Sequence, residues 1–218
     1  HQLGVQRDTY YDIRRVEPSY RVYFGDSEPG ETRNVVDMPA NSAGAKAVFD
    51  AFEPGAGAKL ERYLADCRKK YEFAMDTFIY KNYYTVFDFV NWDALSHLRL
   101  LDIASSYGRR VADTFRHSYL RKMLEFPVVF LGSSAKNTPA MYTLMNHIDF
   151  NLGTWYPVGG FGAVVSAMRT VAEGHGVQFR FSTEVTAIDV ADGEARAVRT
   201  RSTEGVEERI EADVIVAN

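Results

Sequence analysis

The sequence has 218 residues, 46% of them hydrophobic and 25% charged, the balance of a soluble globular chain, which excludes wholesale disorder. Its 25 Lys and Arg against 29 Asp and Glu leave a formal charge of −4, so there is no global basic field to hold nucleic acid. One cysteine, Cys67, excludes an internal disulfide and a thiolate metal cluster, and suits a reducing, cytoplasmic compartment.

In chain order, residues 1–5 carry no charged head, apolar run or cleavage site, so no signal peptide is expected. Two strand-like runs flank Glu17-Pro18-Ser19, and the second, 20–24, alternates as a half-buried strand does. Residues 25–32, with two glycines, Pro29 and several carboxylates, form a solvated turn. Asn41 is a cap for a helix over 42–52, which Pro54 and Gly55 break. A second helix over 58–78 places Leu60, Leu64, Cys67, Tyr71 and Met75 on one face. Aromatic residues then crowd 71–92, and two or three short helices follow over 93–126, with Gly108 and His117-Ser118 as breaks. Thr138-Pro139 caps a helix running to about 150.

After Gly153 the pattern changes. A helix over 160–173 ends at Gly174 and Gly176. Strands are expected over 177–181, 185–190, 195–200, 206–210 and 213–216, with turns at Asp192-Gly193 and Glu204-Gly205. The expected fold class is α+β, with a mostly helical part over 1–152 and a helix plus strand meander over 153–218. The last run, 212–218, has the composition of a buried strand with no turn after it, which suggests a piece of a longer protein. No stretch approaches the ~18 apolar residues that a spanning helix needs.

Several candidate sites reduce to structure. Gly55-Ala56-Gly57-Ala58-Lys59 follows a helix rather than a strand and is a helix–helix turn, not a phosphate loop. Gly159-Gly160-Phe161-Gly162 opens a helix, and its amides can hold an anion or make a tight packing turn; both readings stand. His1, His97, His117, His147 and His175 show no ligand spacing, so no metal site is expected. No Gly-x-Ser-x-Gly elbow is present. Cys67 lies on the apolar face of its helix, a core position. Arg109, Arg110, Arg116, Arg121 and Lys122 make a local basic patch, either a solvated helix face or a contact for acidic lipid headgroups. The aromatics of 71–92 exceed what one helix face can bury, so another domain, a membrane interface or a long apolar ligand must cover them. The residues alone imply apolar binding and no reaction.

Ala140-Met141-Tyr142-Thr143-Leu144 is followed by Gly153-Thr154-Trp155-Tyr156-Pro157-Val158-Gly159-Gly160. With the stretch from Glu17-Pro18-Ser19-Tyr20 to Asp26 and with Phe52-Glu53-Pro54-Gly55, these motifs closely resemble the phytoene desaturase family of flavin-dependent carotenoid desaturases and isomerases. The resemblance implies a helical substrate domain with a mixed or antiparallel sheet, plus a partial flank of a flavin domain. It implies FAD as cofactor, a long carotenoid-type polyene as substrate, and peripheral attachment to a membrane. Val185, after Glu184, matches the family position whose backbone meets the adenine ring, and is the implied cofactor contact. Tyr142, Trp155 and Tyr156 are the implied substrate-side residues; no catalytic residue is implied.

Two departures qualify the match. The family's glycine-rich dinucleotide motifs are absent, and Val158 stands where many members carry Arg or Lys. The chain therefore resembles the middle of a larger enzyme, and by itself is expected neither to hold FAD tightly nor to turn over. The alternative is a non-catalytic module for an apolar ligand or a lipid surface, built on the same domain. A polyene would overshoot any real affinity if it were buried from water at ~0.8 kcal/mol per methylene, so the substrate is expected to arrive from lipid.

Overall fold

The structure is a computed structural model that describes residues 4–25, 35–80, 102 and 105–217. The turn expected over 25–32, Gly25 excepted, and the aromatics Tyr83, Tyr84, Phe87, Phe89 and Trp92 lie outside the described residues. The chain divides into two units, Arg7–Ala163 and His1–Gln6 with Val164–Asn218. Helices and antiparallel strands make up both, in agreement with the α+β expectation.

In the first unit, α1 (Ser42–Phe52) begins at Asn41, whose extended backbone lets Oδ1 accept from the Gly44 amide at 2.8 Å. It stops at Glu53, whose carboxylate accepts from the Arg116 and His117 amides at 2.8 and 3.0 Å and from Lys59 Nζ at 2.5 Å. Burial opposes ionisation there, but these donors outweigh it and hold the carboxyl down at about 2. Gly55 makes the turn in left-handed conformation, φ 79°, and α2 (Ala56–Ala74) follows. The Gly57 amide donates to Asp50 Oδ1 at 2.8 Å and the Ala56 amide to the Glu53 carbonyl at 2.9 Å, so this turn holds two helices together. The helix starts two residues before the expected 58 and widens into a π turn over Met75–Ile79.

α3 (Tyr107–Thr114) and α4 (Ser118–Glu125) complete the core. Gly108 lies inside α3 and does not break it. A Cβ there would come within 3.3 Å of the Ala135 Cβ, so the glycine serves a close approach between segments. His117 caps α4, its Nδ1 accepting from the Tyr119 amide at 3.2 Å. Phe49, Leu60, Val111, Phe115, Leu120 and Leu124 are fully buried together. The Phe49 ring meets Phe115 edge-on at 5.5 Å and Phe150 at 5.9 Å. Cys67 is buried as expected, and burial pushes its thiol up to about 12.

The helix expected from Pro139 to about 150 is one continuous path in three geometries. A 3-10 turn over Ala140–Thr143 leads into α5 (Leu144–His147) and then a π turn over Ile148–Leu152. Thr138 does not cap it; its Oγ1 donates to the Ser134 carbonyl at 2.9 Å. Buried Lys70 of α2 pins this segment, with Nζ donating to Thr143 Oγ1 at 3.2 Å and lying 3.6 Å from Asp66. β1 (Ile13–Arg15) and β2 (Tyr20–Tyr23) are neighbours in sequence but not in pairing. β2 pairs with β3 (Val35–Met38), and β1 pairs with β4 (Trp155–Pro157), far along the chain.

The second unit takes α6 (Phe161–Gly174) from Val164 onward and a meander of β5 (Thr183–Ala191), β6 (Glu194–Ser202) and β7 (Glu207–Glu211). The strands expected over 177–181 and 213–216 do not form among the described residues. Phe179 and Phe181 instead stack on each other at 6.0 Å, with the Arg169 guanidinium 4.9 Å from the Phe181 ring. Val214 and Val216 are exposed rather than buried. Apolar composition predicted strands in both places, but a strand also needs a pairing partner.

Candidate functional site

Gly153 stands where the π turn becomes β4, at φ 78° and ψ 173°, a backbone region that only glycine occupies without strain. Its amide donates to the Ile148 carbonyl at 2.9 Å and closes the π turn. The next residues run beside β1. Val16 donates to the Thr154 carbonyl at 2.9 Å, Arg15 lies opposite Trp155, and Arg14 lies opposite Tyr156. The far strand β1 therefore holds the aromatic pair in place.

An apolar cleft of about 190 Å³ opens beside this junction. Phe126, Pro127 and Phe130 form one wall, supplied by a 3-10 turn over Phe126–Leu131. Met145, Ile148, Gly153 and Thr154 complete its lining. Into this apolar lining the π turn brings one ionisable side chain, Asp149. Tyr20 of β2 packs its ring on Phe126 at 5.6 Å and donates its hydroxyl to Asp149 Oδ2 at 3.1 Å.

Burial raises the Asp149 carboxyl to about 6, and the Tyr20 hydrogen bond opposes that rise. The Tyr20 hydroxyl is itself pushed above its ordinary value, first by burial and then by the Asp149 charge. Tyr107 is likewise raised by burial, and so is Glu125 at the end of α4, where Arg121 opposes the shift. At neutral pH Asp149 is mostly ionised yet close to protonation, the condition in which a carboxylate can take and release a proton.

The expected site residues are not gathered here. Tyr142 sits half-exposed on the 3-10 turn before α5, and neither it, Trp155 nor Tyr156 lines the cleft. Trp155 donates Nε1 to the Leu152 carbonyl at 3.0 Å, and Tyr156 packs edge-on against Phe161 at 5.4 Å. Both rings are 49% exposed. Val185 lies in the second unit, on β5, with its side chain exposed. Beside it the register steps from Val185↔Thr200 to Ala187↔Arg199, leaving Thr186 as a bulge. Gly159 and Gly160 both have positive φ, 87° and 78°, as the turn into α6 requires. No group of three or more His, Cys, Asp or Glu able to hold a metal occurs among the described residues.

The sequence expectations gave no site role to Asp149 or Tyr20. The available signal was a lone carboxylate set between the apolar residues Ile148 and Phe150.

Comparison with known proteins bears out the resemblance. The chain is 35% identical over 187 residues to the carotenoid 3,4-desaturase of Haloarcula japonica, covering 85% of this chain and 37% of that protein. It is 27% identical over 216 residues to the zeta-carotene-forming phytoene desaturase of Myxococcus xanthus, covering 99% and 40%. With the neurosporene-forming phytoene desaturase of Cereibacter sphaeroides it shares 28% over 215 residues, covering 99% and 39%. The chain thus spans about two fifths of the length of these curated relatives. The model of the flavin containing amine oxidoreductases matches residues 1–218, so the chain belongs to that family.

Proposed function

We propose that the whole protein is an FAD-dependent desaturase of a long carotenoid-type polyene and that this chain is its central part. The observation that carries the reading is the apolar cleft directly before Trp155-Tyr156-Pro157, in a chain of this family. When bound, FAD supplies the two-electron acceptor that taking hydrogen from a hydrocarbon requires and that no side chain provides. The chain's own residues bind the polyene, orient it and keep water out.

In this reading residues 1–152 form the substrate and membrane-associated part, and 153–218 return toward the flavin domain. Among the described residues β5 pairs only with β6, so its other edge leaves backbone groups open beside the exposed Val185. An open strand edge with an apolar side chain fits the adenine end of FAD, with Val185 as the contact. Tyr142, Trp155 and Tyr156 each keep a free ring surface for the polyene. Successive residues of a strand point to opposite faces, so Trp155 and Tyr156 meet the substrate path at two points rather than as one wall.

The same reading brings the polyene from a bilayer. No described helix is long and apolar enough to cross a membrane. The turn Phe126–Leu131 exposes Val129 and Phe130 just after Arg121 and Lys122, a combination suited to a headgroup boundary, with the apolar cleft behind it.

The test is anaerobic mixing of the full-length holoprotein with a polyene in vesicles. The flavin absorbance bleaches while the polyene absorption moves to longer wavelength. Trp155→Ala slows the bleaching about tenfold or more at unchanged flavin content. A holoprotein whose flavin no polyene bleaches contradicts the reading, and unchanged bleaching in Trp155→Ala removes that ring from the substrate path.

A further inference from the structure

Taking hydrogen from a saturated carbon pair removes a hydride and a proton, and the reading above accounts for the hydride alone. We infer that Asp149, held by Tyr20, is the group that takes the proton, an assignment that rests on the desaturase reading. One C–H bond breaks with its electron pair leaving as hydride to the flavin. The C–H bond on the neighbouring carbon breaks the other way: its electrons become the new π bond, and its proton goes to the Asp149 carboxylate. The substrate is oxidised by two electrons, the flavin is reduced by two, and the carboxylic acid returns its proton to solvent once the product leaves.

Geometry supports the assignment independently of any titration. Asp149 is the ionisable side chain that lines the cleft, and the remaining walls are apolar or neutral. A pocket shaped only to hold hydrocarbon has no use for a carboxylate, which a bound polyene would have to desolvate. The Tyr20 hydroxyl, 3.1 Å from Oδ2, fixes one carboxylate oxygen from a strand 129 residues away in sequence. The residue sits in a π turn, a geometry that recurs at functional sites, and Phe150 next to it anchors that turn in the core against Phe49. The other group bearing on the pair is Tyr107 of α3, a phenol that raises the Tyr20 hydroxyl further, and Glu125 of α4, a partly buried acid, bears in turn on Tyr107. Neither lines the cleft.

The test follows flavin bleaching in the full-length holoprotein across pH. For wild type the rate rises with pH and levels off, standing about tenfold below the plateau at one unit under the midpoint. Tyr20→Phe removes a hydrogen bond that favours the ionised form, so the same limb moves to higher pH. Asp149→Asn slows bleaching about 100-fold or more and flattens the profile, while Asp149→Glu restores most of the rate. Flavin content stays at the wild-type level in all three variants. A readout that needs no turnover is the infrared carboxyl band absent from Asp149→Asn: it titrates near 6 in the resting protein and shifts upward in Tyr20→Phe. A wild-type rate independent of pH, or an Asp149→Asn rate within about threefold of wild type, overturns the assignment and leaves the desaturase reading intact. A wild-type holoprotein that no polyene bleaches overturns both.

Discussion

Phe49→Ala will remove about 3–5 kcal/mol from the stability of the first unit, a large share of what a domain of ordinary stability has. The ring is fully buried, and it touches Phe115 and Phe150 edge-on at 5.5 and 5.9 Å. Truncation loses the transfer of the ring out of water and leaves a cavity that two rigid aromatic neighbours cannot collapse to fill. The effect reaches the site, because Phe150 follows Asp149 and anchors the π turn that carries it. Urea melting followed by circular dichroism checks the figure. Phe49→Leu, which keeps most of the volume, loses less than half as much. A loss below about 1 kcal/mol for the alanine variant would mean that this cluster is not the centre of the core.

Gly153→Ala will cost about 1–3 kcal/mol and disable the cleft out of proportion to that cost. Its φ of 78° with ψ of 173° is a region that residues with a Cβ avoid. The new methyl group would also press on the Arg15 guanidinium, whose Nε and Nη2 lie 2.6 Å from its position. Arg15 can swing away, since it is the end of a long exposed side chain, so the clash is relieved cheaply. The backbone strain is not. Relief requires the chain to rotate between Leu152 and Thr154, which moves the part of the cleft that Gly153 and Thr154 line and tilts β4 against β1. The expected result is a modest loss of melting temperature with polyene binding weakened about tenfold or more. Wild-type binding in the alanine variant would show that the Gly153–Thr154 lining does not touch the ligand.

Local signals in the sequence carried the helices. Asn41 capped α1 at the expected residue, and the four- and three-residue steps of Leu60, Leu64 and Cys67 chose the buried face of α2. Glycine was a less reliable marker. Gly55 does interrupt two helices, but Gly108 sits within α3 because Ala135 approaches it, a contact made across 27 residues that no local pattern contains. The pairing of β1 with β4 joins residues 140 to 144 positions apart, and composition cannot report such a partner. The strands expected over 177–181 and 213–216 are the same case in reverse, since apolar residues are present there and no strand pairs with them among the described residues. The motif around Trp155 and Tyr156 was legible as a family signature. Asp149 and Tyr20 were not, because their significance comes from a 3.1 Å hydrogen bond between distant segments and from the apolar walls around it.

In the proposed function the cleft at the π turn seats one end of the polyene. A polyene analogue bearing a diazirine at one terminus, bound to the full-length protein and photolysed, reports the seat directly after digestion and mass spectrometry. Adducts are expected on the cleft lining, at Phe126 or Phe130 and at Met145 or Ile148, lost in Gly153→Ala and competed by unlabelled polyene. Competed adducts confined to residues 177–217, with none on the cleft lining, would contradict that seat.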